Sequence, residues 1–177
     1  MHRGATLNKL LNETNYKFNE TANIDAKKNI GKKASLLIED GSYIFLDAGT
    51  TTHCLIDYLQ GKNVTVVTNG LMHLDKLSYL SISSIILGGK MKASTFISYG
   101  EQTINEINNL NFDFAFIGAN GVEDNNYTTA DINEALIKKS AINNARKAFV
   151  LADSSKIGKK FFANICSLDQ AELIKED

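Results

Sequence analysis

The residues best suited to chemistry follow directly on short apolar runs. Ile44-Phe45-Leu46 gives way at once to Asp47-Ala48-Gly49-Thr50-Thr51-Thr52, and a helix-like stretch follows. A strand that turns straight into a helix leaves backbone N–H groups unpaired at the positive end of the helix dipole, and these favour an anion. Gly49 lets the backbone approach such a ligand, and Thr50, Thr51 and Thr52 add hydroxyls. The plainer reading is a strand-to-helix turn with a threonine cap. The segment is neither GxxxxGK[ST] nor GxGxxG, so nucleotide and dinucleotide readings weaken and a smaller phosphate ester is left.

Similar loops recur at Thr68-Asn69-Gly70, Gly88-Gly89, Gly118-Ala119-Asn120-Gly121 and Asp153-Ser154-Ser155-Lys156. Lys156 gains a claim on a ligand from its place after a strand end. Lys27 and Lys28 lie on a charged helix and read by themselves as solvated surface lysines. Glu134 and Lys138 are spaced i,i+4, the spacing of a surface ion pair worth about 0.2–0.5 kcal/mol. His2, His53 and His73 have no metal-ligand spacing, and no metal or cofactor is expected. His53 and Cys54 are adjacent, so on a helix their side chains do not face each other as a nucleophile pair would. Cys54 reads as a small core hydrophobe, and Asp113 and Asp153 as turn and cap residues.

The elements that must hold these loops follow from periodicity. Apolar residues from Ile24 to Ile38 recur at helical steps and stop at Asp40-Gly41. Strand-like runs Tyr43–Leu46, Val64–Val67, Ser84–Leu87, Phe112–Ile117 and Phe149–Ala152 alternate with helix-like stretches ending near Leu59 and Leu80, around Gln102–Ile107, and over Ile132–Ala145. Asp131 is placed to cap the last of these. Strand, polar loop and helix in five turns predict an α/β domain built on an open, mostly parallel sheet flanked by helices. Ligands of such sheets bind outside the carboxyl ends of the strands, where all of these loops fall. Residues 1–20 read as a lead-in and 21–177 as one ligand-binding α/β domain.

Of 177 residues, 44% are hydrophobic and 22% charged, the composition of a globular chain with a full core. Nineteen Lys and Arg against 20 Asp and Glu give a formal net charge of −1, without the basic excess of a stand-alone nucleic-acid-binding domain. No apolar run has the roughly 18–20 residues of a membrane span, and the N-terminus lacks a signal-peptide core. Two cysteines far apart suggest neither zinc nor a disulfide framework and fit a reduced, cytoplasmic protein.

Taken in order, Ile44–Thr52, Val66–Asn69, Leu87–Gly89, Phe116–Gly121 and Leu151–Lys156 resemble the C-terminal effector-sensing domain of DeoR-family transcriptional repressors. His2-Arg3-Gly4-Ala5 is similar to the HGGA stretch that follows the DNA-binding part in that family. The resemblance implies a fold like ribose-5-phosphate isomerase. That enzyme holds its substrate phosphate with a lysine on the first helix, a Ser/Thr pair and a later lysine. Lys27, Thr50 with Thr51, and Lys156 fall at the matching positions, and Gly49 and Thr52 complete the expected phosphate loop. The isomerase's DGAD segment corresponds to Ile117–Asn120, so both carboxylates are missing. Its KGGG segment would fall near Thr128–Asp131, and its catalytic glutamate near Lys138, with Glu134 a possible shifted equivalent. Asn120 can hydrogen-bond a sugar hydroxyl but cannot take its proton.

The resemblance therefore implies binding without turnover. The expected ligand is a phosphorylated sugar, with Asp47, Thr68, Asn69, Gly88, Gly89, Lys92, Asn120, Glu134 and Lys138 as candidate contacts to its remainder. For Asp47, a sugar contact and a cap to its own backbone stand side by side. Lys92 takes the place where the family often has Arg, which keeps the charge and loses bidentate geometry. Homo-oligomers are implied, with operator DNA bound only through a helix-turn-helix domain that would precede Met1. An isomerase or related enzyme on the same scaffold is the alternative, and an oligomerisation domain with a vestigial pocket the blander one.

Overall fold

The structure is a computed structural model that describes residues 16–177. The expected lead-in lies partly outside these residues, and His2-Arg3-Gly4-Ala5 lies wholly outside them. In chain order the elements are α1 (Tyr16–Thr21), α2 (Ile24–Ser35), β1 (Tyr43–Leu46), α3 (Thr50–Leu55), β2 (Thr65–Thr68), α4 (Leu74–Tyr79), β3 (Ser83–Ile86), β4 (Lys90–Lys92), β5 (Ile97–Tyr99) and α5 (Glu101–Asn108). They continue as β6 (Phe112–Gly118), β7 (Gly121–Glu123), β8 (Asn126–Thr129), α6 (Ile132–Asn143), β9 (Ala145–Leu151), β10 (Ala163–Ser167) and β11 (Glu172–Ile174). Short 3-10 turns occupy Ile56–Tyr58, Leu71–His73 and Ser154–Lys156.

Six strands form one parallel sheet in the order β11-β9-β6-β1-β2-β3. Chain order runs outward from β1 on one side and from β6 on the other, so the winding reverses between those two strands. The crevice at such a reversal, outside the strand ends, is where open α/β sheets bind ligands. The strands are apolar on both faces because helices cover both. Along β1, Ile44 and Leu46 enter a core layer with Ile30, Ala34 and Leu55, while Phe45 enters the opposite layer with Ile137 and Ala141. Phe116 and Phe149 stack at 5.6 Å across the β6–β9 pair. The exception is β3, whose four residues are all exposed at the sheet edge.

Helix α2 stops three residues before the expected Ile38, because Leu36, Leu37 and Ile38 make i→i−3 bonds that tighten its end. Gly31 in α2 sits so close to α3 that an added Cβ would lie 2.8 Å from the Cys54 carbonyl carbon. Asp131 caps α6 as expected, accepting from Asn133 N at 2.7 Å and Glu134 N at 3.1 Å. Strand β9 begins at Ala145, four residues before the expected Phe149 and at the expected end of α6, because it pairs with β6 from Phe112↔Ala145. Arg146 and Lys147 at its start are exposed and break the apolar pattern. Three features carried no sequence expectation: the β4–β5 hairpin, the small antiparallel sheet β10-β8-β7, and β11 as the sixth parallel strand.

Candidate ligand-binding site

The winding reversal places the Ala48–Thr52 loop after β1 beside Gly118–Asn120 after β6, and a partly open cavity of about 100 Å³ lies between them. Gly49, at φ 143, is the N-cap of α3 and has no side chain to cap it, so the first-turn N–H groups of that helix are left for other partners. Thr50, Thr51 and Thr52 line the cavity with Gly49. The Thr52 hydroxyl is already engaged, donating to Asp47 O at 2.7 Å and more weakly to Gly49 O at 3.1 Å.

Two lysines reach this cavity from opposite ends of the chain. Lys27 on α2 is only 3% exposed and donates from Nζ to Asn19 O of α1. It is therefore not the solvated lysine its helix suggested. Burial lowers its pKa, and the nearby Lys156 charge lowers it further. Burial likewise lowers Lys156, which closes the 3-10 turn after β9. Asp153 opposes both shifts. It is 1% exposed and caps that turn, accepting from Ser155 N at 2.9 Å, while its charge favours both ammonium groups.

Lys138 and Asp47 correct two readings. Lys138 also lines the cavity, but it is 6% exposed, and its Nζ donates to Asp47 Oδ2 on β1's outgoing loop. It is no surface residue. Asp47 is 2% exposed and is not among the lining residues, so it acts on the cavity from behind. Its Oδ2 also accepts from Gly118 N at 2.8 Å. Burial raises the Asp47 carboxyl above its ordinary range, and Lys138 and the Gly118 N–H oppose that rise.

The Asp47 carbonyl accepts a further bond, from His73 Nε2 at 2.8 Å. A carbonyl only accepts, so Nε2 carries the His73 proton and Nδ1 is an acceptor. His53 Nδ1, 3.0 Å away, must then donate to it, and the two rings stack at 5.2 Å. Burial pushes His73 down to about 3 and His53 down to about 4, so both rings are neutral near pH 7. His53 does not line the cavity, in line with its reading as a local hydrogen-bond former.

Several candidates stand apart from the cavity. Thr68 is fully buried, donating to Leu46 O and accepting from Gly70 N at 2.9 Å. Asn69 donates to Ser98 O at 3.1 Å. Gly88 N donates to Glu106 Oε2 at 2.8 Å, and Gly89 packs against Thr103 and the Tyr99 carbonyl. Lys92 pairs with Asp131 at 3.0 Å. Partial burial pushes the Asp131 carboxyl up, but Lys92 and the two α6 N–H groups outweigh it and hold it below its ordinary value. These residues shape the hairpin and the helix cap that frame the site. Asn120 and Glu134 do line it. Asn120 Oδ1 accepts from Thr129 Oγ1 at 2.7 Å and Ala130 N at 3.2 Å, which fixes the amide so that its NH₂ is the end left for a ligand. Tyr16, Asn19, Met72, Thr95 and Leu151 complete much of the wall and carried no sequence signal as site residues.

A family model described as the DeoR C terminal sensor domain matches residues 22–177. The chain belongs to that family. An uncharacterized HTH-type transcriptional regulator, FruR, of Bacillus subtilis strain 168 is 41% identical over 157 residues, 88% of this chain and 62% of that protein. The lactose phosphotransferase system repressor of Staphylococcus epidermidis ATCC 35984 is 34% identical over 182 residues, 100% of this chain and 72% of that repressor. The sensor domain thus spans under two thirds of the first relative's length. Ribose 5-phosphate isomerase A of Methanocaldococcus jannaschii superposes with a TM-score of 0.57 at 22% identity, over 78% of this chain and 56% of the enzyme. At that identity the likeness is one of fold. The relatives are named as transcriptional regulators and the family model as a sensor domain. No helix among its described residues is long and apolar enough to cross a membrane.

Proposed function

We propose that the cavity binds the phosphate group of a phosphorylated sugar. The observation that carries this reading is the convergence of Lys27 and Lys156, two cations whose charge burial disfavours, on a cavity walled by Gly49–Thr52. A phosphate dianion relieves that cost, and the first-turn N–H groups of α3 supply donors to its oxygens. Asn120 and Glu134 then face the sugar, while Asp47 and Lys138 hold the two strand-end loops in place.

The ligand acts as an effector in the cytoplasm. It favours one arrangement of a homo-oligomer and so changes operator binding by a helix-turn-helix region of the full regulator. Such coupling needs a differential affinity of typically about 1–3 kcal/mol between the two arrangements.

A thermal-shift screen with fructose, glucose, tagatose, galactitol and deoxyribose phosphates, and the unphosphorylated compounds as controls, tests the reading. A phosphate ester at 100 times its dissociation constant adds roughly 2.7 kcal/mol, a shift of a few degrees. That shift should be missing with the unphosphorylated controls and lost in Lys156→Ala. A folded oligomer that responds to none of them would show a domain for assembly alone.

A further inference from the structure

The turn joining β4 to β5 brings Thr95 into the cavity wall. Its Oγ1 is shielded from solvent and, among the described residues, has no hydrogen-bond partner. A buried hydroxyl left without a partner is costly, and few survive without a reason. The turn also holds that hydroxyl in place. Tyr16 N donates to Ser94 O at 3.2 Å, and Leu71 N donates to Phe96 O at 2.8 Å, so both carbonyls flanking Thr95 are anchored to other elements. Tyr16 packs edge-on against Phe96 at 6.0 Å. Phe96 itself sits at φ 52, a left-handed conformation that a bulky side chain adopts only under constraint from its surroundings. The strained, doubly anchored turn fixes Thr95 in the cavity wall.

We infer that Thr95 Oγ1 is a specificity-determining contact, pairing with a hydroxyl of the ligand and separating a polyhydroxylated phosphate ester from phosphate alone. This rests on the phosphate-site reading above. A hydroxyl suits the task because it both donates and accepts, so it matches a neutral ligand hydroxyl in either sense. Phosphate oxygens also accept from a hydroxyl, so the comparison of inorganic phosphate with the sugar phosphates is what assigns the contact.

Calorimetric titration of the whole chain with inorganic phosphate and with each sugar phosphate of the screen tests this in the wild type, Thr95→Val and Thr95→Ser. Valine keeps the shape and removes the hydroxyl, whereas serine keeps the hydroxyl. The expected result is that valine weakens the tightest sugar phosphate by about two- to tenfold, leaves inorganic phosphate unchanged and costs no stability without ligand. Serine should retain most of the sugar-phosphate affinity. Equal weakening of both probes by valine, no weakening of either, or a loss of ligand-free stability would overturn the assignment. A wild type that binds inorganic phosphate but no sugar phosphate also overturns it while leaving the anion site standing. A wild type that binds neither overturns the phosphate-site reading itself.

Discussion

Asp47 is a junction at the residue scale. Its carboxylate takes Lys138 of α6 and Gly118 N of β6, and its carbonyl takes Thr52 of α3 and His73 of the turn before α4. Removing one partner of a buried ion pair strands the other charge, so Asp47→Ala and Lys138→Met should each cost roughly 3–5 kcal/mol. The double variant should cost well under the sum, and urea unfolding of the four proteins measures the difference; simple additivity would mean the pair is not coupled. His73 gives a pH prediction with a definite sign. Its folded pKa of about 3 lies below the unfolded value near 6.5, so the unfolded chain binds the proton first. His73 should therefore withdraw about 1.4 kcal/mol of stability per pH unit as pH falls from 6.5 toward 3, with no effect above that window. Unfolding midpoints at pH 7, 6 and 5 check this, and His73→Gln should flatten the slope. None of these links was legible in the sequence. Asp47 is 91 residues from Lys138, and only the winding of the sheet brings them together. The Gly49–Thr52 wall of the cavity was legible, because those residues are contiguous and follow an apolar strand.

Elements were legible where their pattern was local. The five parallel strands and α6 with its Asp131 cap emerge from apolar runs and turn residues. The β4–β5 hairpin does not, since Lys90–Lys92 is exposed and charged and Ile97–Tyr99 is three residues long. Overlooking that hairpin meant overlooking Thr95. The contact between α2 and α3 is equally hidden, because it depends on the missing side chain of Gly31. Alanine there would meet the Cys54–Leu55 backbone, which cannot yield as a flexible side chain would. Gly31→Ala should cost about 1–3 kcal/mol and push α2 outward. Lys27 lies one turn before Gly31 on the same helix face, so inorganic phosphate should also bind more weakly. Urea unfolding and phosphate titration together check this. Lost stability with unchanged phosphate affinity would show that Lys27 does not depend on the fit of the two helices.

For the whole molecule, the pH profile of ligand binding follows from charges on both partners. A phosphate monoester gains its second charge near pH 6, so affinity should rise from pH 5 to 7. Lys27 and Lys156 have pKa values lowered from 10.5, so affinity should fall again on the alkaline side before a free lysine would lose its proton. Titrations with a sugar phosphate at pH 5, 7 and 9 check both limbs; a profile flat to pH 9 would place other donors on the phosphate.

The depth of Lys27 has a consequence for the proposed role beside an operator. A nucleic acid is also a string of phosphates, and cations displayed on a surface would attract it without regard to sequence. Here Lys27 is almost wholly enclosed and Lys156 half-buried, and the chain as a whole carries a formal net charge of −1. On the proposed reading the cavity works as a sieve: a phosphate at the end of a small molecule can enter, whereas one strung within a duplex is too bulky to reach Lys27.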